Sequence, residues 1–134
     1  MTPEAARYID KARTCLSNAS ANLGIGLSND AGRNAYLAAF HAAQALIFER
    51  SGKAATTHRG VQSEFNRLTA VEARFDLEFR AFLSQAYNLK AVADYETGPD
   101  SIIPIERSTT DLEKAKRCVQ HIAVLLGETG TEPN

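Results

Sequence analysis

The chain has 134 residues, is 44% hydrophobic and 23% charged, and carries a formal net charge of −1. That length suits one domain with one modest core, and the balance is that of an ordinary water-facing protein. It excludes a wholesale basic surface for nucleic acid, and no apolar run approaches the ~18 residues of a membrane-spanning helix.

Five helices and no strand are predicted. The first begins at Thr2 as N-cap, with Pro3 in the first helical position and Glu4 in the first turn. Ala5, Ile9, Ala12, Leu16, Ala19 and Leu23 form its apolar seam, and Gly24 and Gly26 end it. The second runs from Ser28 or Asn29 to about Arg50, with Gly52 as its stop. It is apolar almost all round from Ala35 to Phe48, which marks a central helix. Its small residues Ala35, Ala38, Ala39, Ala42 and Ala43 allow close helix approach.

A shorter third helix follows Thr56 or Thr57, with Val61, Phe65 and Leu68 as its stripe. The fourth carries Phe75, Phe79, Phe82, Ala86, Leu89 and Ala93 and stops before Gly98 and Pro99. "SIIPIERS" is expected to be extended because Pro104 disfavours helix before it. Thr110 and Glu113 are expected to form a capping box for the last helix, whose stripe is Leu112, Ala115, Val119, Ile122 and Leu126. The fold class is therefore all-α: an antiparallel four-helix up-down bundle with one additional short helix. Residues 1–127 are expected to form the bundle and 128–134 a polar tail. The N-terminal segment "MTPEAARYIDKAR" lacks the apolar centre of a signal peptide, so cytoplasmic residence is the expectation.

Three histidines offer chemistry. His41 is the only group between Ala35 and Ala43 whose charge can change near neutral pH. It is either a core imidazole bonded to a neighbouring helix or a functional group facing a cleft. Asn34 shares its helix face, whereas Arg33 is turned away by roughly 80°. His58 and Arg59 fall at the start of the third helix, where free backbone N–H groups favour an anion. In "YNLKAVADYE", Lys90 and Asp94 are spaced for an intrahelical ion pair on the face that carries Tyr87, with Tyr95 turned away. That segment is either a solvated face or a polar cleft facing His41 from a neighbouring helix. Cys15 and Cys118 read as free thiols. Cys118 and His121 have the spacing of two metal ligands but no second pair, so neither metal nor cofactor is expected. His121 reads as structural.

"RNAYLAAFHAAQALIFERSG", followed by "THRGV" and "LKAVADY", resembles the HEPN superfamily, in particular its small single-domain bacterial and archaeal members. The resemblance spans roughly Ala31 to Leu126. It implies a helical bundle that forms a homodimer, with RNA, a nucleotide or a protein as ligand. It also implies a toxin–antitoxin setting, with a small nucleotidyltransferase as antitoxin partner. Catalytic members of this superfamily are metal-independent ribonucleases with four to six residues between an arginine and a histidine. Here Arg33 and His41 have seven residues between them, Arg50 and His58 also seven, and Arg117 and His121 three. The resemblance also leads one to expect arginine where Lys90 stands. Beside the plain reading of a structural or assembly protein whose polar residues only fix helix register, two functional readings follow. One is a binding module without that motif. The other is a metal-independent endoribonuclease using His41, His58 and Lys90 as a composite catalytic set. Arg33, Asn34, Arg59, Tyr87, Asp94 and Tyr95 are the candidate binding residues in either case. Whether the chain is an enzyme stays open at this level.

Overall fold

A computed structural model of the chain describes residues 1–95, 98 and 102–128; the side chains of residues 92, 93 and 95 are outside that description. Five helices follow one another: α1 (Pro3–Gly24), α2 (Ser28–Ser51), α3 (His58–Ala70), α4 (Leu77–Tyr95) and α5 (Ile105–Leu125). There is no strand among the described residues.

α1 starts as its sequence predicts. Thr2 adopts an extended backbone and its hydroxyl accepts from the Ala5 N–H. The Thr2 N–H and hydroxyl both donate to Glu49 at the far end of α2. Asn34 near the start of α2 donates to Asn22 near the end of α1, so the two helices run antiparallel. Gly26, with φ of 78°, supplies the left-handed residue of the short turn between them.

α2 is the axis of the molecule. Thirteen of its residues are buried, and it packs against all four other helices. Its alanines let neighbours approach closely, and Tyr36, Leu46 and Ile47 fill the remaining space. At its start, Gly32 lies so near α5 that an added Cβ would meet Ile103 Cδ1 at 2.9 Å. The Ser108 hydroxyl, fully buried, donates to the Ser28 carbonyl at the same crossing. α4 returns antiparallel to α2, and α5 antiparallel to α4, where Arg117 meets Glu78. The result is the expected up-down bundle, with α3 inserted between α2 and α4. Phe65 and Phe82, each about 1% exposed, bury their rings in this core, worth roughly 1.5–3 kcal/mol apiece.

The start of the last helix differs from expectation. Thr110 does not cap it: α5 begins five residues earlier, with Pro104 in the N-cap position. The Thr110 hydroxyl donates back to the Glu106 carbonyl, inside the helix. Pro104 holds φ at −57° and lacks the N–H that a helix start leaves unpaired, so it opens the helix well. At the tail, Glu128 pairs with Arg13 of α1; residues 129–134 lie outside the described residues.

Candidate functional site at the junction of three helices

His58 is the first residue of α3. Thr57 caps that helix by accepting from the Gly60 N–H at 3.0 Å. This places the His58 ring against α2 and α4. Its centroid lies 5.5 Å from Tyr36, 5.1 Å from Phe40 and 5.2 Å from Tyr87. Tyr36 and Tyr87 themselves stand 5.5 Å apart. Four rings from three helices therefore form one tilted cluster, a geometry that aromatic quadrupoles favour.

The Tyr36 hydroxyl and His58 Nδ1 are 2.6 Å apart. Burial, with help from Tyr87, pushes the Tyr36 phenol pKa well up, and a Gln62 hydrogen bond opposes this. The phenol therefore stays protonated. The protonated phenol can donate its hydrogen to His58 Nδ1. The neutral imidazole must then carry its hydrogen on Nε2; this tautomer is assigned from the network. Nε2 has no partner among the described residues, and the ring is part-exposed. Burial first, and then the charge of Lys90, hold the His58 pKa below its usual value, so the neutral form dominates at neutral pH.

Beside the rings lies an ion network. Lys90 Nζ sits 2.7 Å from Asp94 Oδ2. Arg33 of α2 donates through Nε to Asp94 Oδ1 at 2.9 Å, and through Nη1 to Asp30 at 3.0 Å. The Lys90 and Asp94 side chains are only 14% and 17% exposed, so this pair is not on a solvated face. Lys90 first, with Arg33 behind it, draws the Asp94 carboxyl below the usual carboxylate range. Lys90 thus touches both halves of the site: it pairs with Asp94 and repels a proton from His58.

The remaining candidates fall as follows. Arg59 is exposed next to His58 and pairs with no carboxylate among the described residues. Asn34 turns away, to Asn22 of α1. Tyr95 lies on α4, with its side chain outside the described residues. His41 does not join His58 and Lys90. Its Nδ1 bonds Gln44 at 2.7 Å, and the cation that acts on it is Lys11 of α1. Phe40 packs against both imidazoles, 5.5 Å from His41. His121 packs its ring against Phe75 and Phe79, and its Nε2 is buried without a partner. Burial pushes the nearby Cys118 thiol up to about 12, which makes it a poor metal ligand.

Sequence reasoning missed Tyr36, Phe40, Gln44 and Gln62. One signal was present: a tyrosine on an apolar helix must find a partner for its hydroxyl. A groove of about 570 Å³ lies elsewhere, between α1 and Phe48, and none of the ring-cluster residues lines it.

Rings on one side and cations on the other suit a flat group joined to an anion. Among the described residues no three histidines, cysteines or carboxylates gather to hold a metal. No described helix is long and apolar enough to cross a membrane. Comparison with curated proteins finds no match. The family model for the HEPN domain matches residues 5–128, which takes in α2 to α5 whole, α1 but for its first two residues, and every residue of this site. The chain belongs to the HEPN domain family.

Proposed function

We propose that the Tyr36–His58–Tyr87 face binds a nucleotide unit, free or within single-stranded RNA, and that the chain is a binding module and not a nuclease. The observation that carries this reading is the Tyr36 hydroxyl held 2.6 Å from His58 Nδ1. It leaves Nε2–H as a hydrogen-bond donor, which suits a phosphate oxygen. A general base for RNA cleavage would need a lone pair on that nitrogen, and this tautomer has none to offer. Aromatic rings that receive a base, next to cations that receive a phosphate, are the usual means of holding single strands. Arg59 supplies positive charge with no carboxylate partner among the described residues, while Lys90 is paired with Asp94 and Arg33 with Asp30 and Asp94.

Family membership supports the wider setting of this reading: a cytoplasmic homodimer in a toxin–antitoxin-like pair with a small nucleotidyltransferase. A second reading, a metal-independent endoribonuclease, draws support from one observation, the proximity of Lys90 to His58. It requires a ligand that breaks the Tyr36 hydrogen bond.

Fluorescence anisotropy of a labelled oligouridylate, with AMP as competitor, tests the first reading. Wild-type protein should bind saturably, and His58→Ala should weaken binding by about tenfold, the share of one stacked and hydrogen-bonded side chain. Displacement by AMP would point to a nucleotide site; no displacement would point to a longer strand. Equal binding by wild type and a folded His58→Ala, or no binding of either probe, would overturn the proposal.

A further inference from the structure

Residues 52–57 join the end of α2 to His58, and their path decides where that imidazole enters the ring cluster. A side chain in the core of α2 grips this connection. Gln44, 6% exposed, donates through Nε2 to the Ala55 carbonyl at 2.8 Å. That bond fixes which way the amide points. A flipped Gln44 would set its oxygen against the Ala55 oxygen, two acceptors face to face. Gln44 Oε1 therefore faces His41, where it can only accept. His41 Nδ1, 2.7 Å away, must carry the hydrogen. His41 is thus the Nδ1–H tautomer, the opposite of His58.

We propose that His41 is a positioning residue: it orients Gln44, Gln44 clamps the Ala55 carbonyl, and the clamp sets His58 beneath Tyr36. The importance of His58 in this inference rests on the proposed binding site, but the clamp itself does not. One further observation agrees with it. Phe40, adjacent to His41 in sequence, packs on both imidazoles and shares the same wall. Protonating His41 would add a hydrogen at Nε2 and leave the Nδ1–H bond to Gln44 intact, so the clamp holds in either state of charge.

The test reads His58 while altering His41. Long-range nitrogen–proton NMR spectra of the full chain report the tautomer of each histidine. In the wild type, His41 should show Nδ1–H and His58 Nε2–H. His41→Ala should move His58 towards tautomer-averaged nitrogen shifts and weaken oligouridylate binding by about threefold to tenfold, the share of one hydrogen bond. His41→Asn, whose amide nitrogen reaches the position of Nδ1, should restore both. Gln44→Met breaks the clamp from the other end and should reproduce the His41→Ala spectrum. A folded His41→Ala or Gln44→Met with wild-type His58 shifts would overturn the proposal, as would a wild-type His41 bearing its hydrogen on Nε2. If the wild type binds no oligouridylate, the reading of the site falls, and the His58 spectrum alone still decides the clamp.

Discussion

At the scale of single residues, the two histidines differ by what faces their Nδ1 atoms. In the assigned tautomers, His58 meets a hydroxyl that donates and His41 an amide oxygen that accepts. Both sit below the ordinary histidine pKa of 6.5, first because burial penalises the charged ring. Between that value and the lowered folded values, the unfolded chain binds more protons than the folded one. Stability is therefore full above about pH 6.5 and falls as pH drops through the folded pKa values. Tyr36→Phe removes the donor that favours neutral His58. Its pKa should rise towards 6.5, read by NMR titration, and stability should drop by about 0.5–1.5 kcal/mol. An unchanged His58 pKa would contradict the tautomer assignment. The imidazoles were visible in the sequence as candidates. Their hydrogen-bonding roles were not, because the partner of His58 lies 22 residues away on another helix and that of His41 depends on a loop carbonyl.

At the scale of elements, boundaries follow local chemistry where one signal dominates. Thr2, Gly52 and Thr57 each act as the sequence suggests. At α5 two start signals compete, and Pro104 prevails over the Thr110 pair because the segment between them is already helical. The packing of α5 on α2 depends on Gly32. Alanine there would gain about 1 kcal/mol of helix preference. It would also press on Ile103 Cδ1, the movable end of a side chain, so the two effects nearly cancel. Gly32→Leu has no such room. It should cost about 1–3 kcal/mol by overpacking, seen as a lower urea midpoint at unchanged slope. A wild-type midpoint would mean that the crossing is looser than described.

At the scale of the whole molecule, the bundle was legible in the sequence because three long amphipathic patterns and the apolar central helix admit few arrangements. The site was only partly legible: Lys90 with Asp94 could be read from their spacing along one helix. Arg33 joining them from α2, and Tyr36 meeting His58 and Tyr87, are products of helix packing that spacing does not encode. Among the described residues, the site brings Arg33, Arg59 and Lys90 together with the carboxylates Asp30 and Asp94. Asp94→Asn should therefore have opposite effects on two readouts. It should lose about 1–2 kcal/mol of stability, since hydrogen bonds to a charged group go in a part-exposed setting. It should also tighten oligouridylate binding and steepen its salt dependence, because one more positive charge is left uncompensated. Asp94 has a folded pKa below the usual range, so its share of stability is full above about pH 3.9 and is lost as pH falls below that. Weaker RNA binding by Asp94→Asn would argue that the carboxylate itself contacts the ligand.

The central claim is that His58 presents a donor and so binds without cleaving. The most direct measurement incubates end-labelled RNA with purified protein in EDTA and resolves the same samples on native and denaturing gels. The account predicts a shifted complex on the native gel and intact RNA on the denaturing gel. Fragments ending in 2′,3′-cyclic phosphate, produced by the wild type and lost in a folded His58→Ala variant, would contradict it and make the chain a metal-independent ribonuclease.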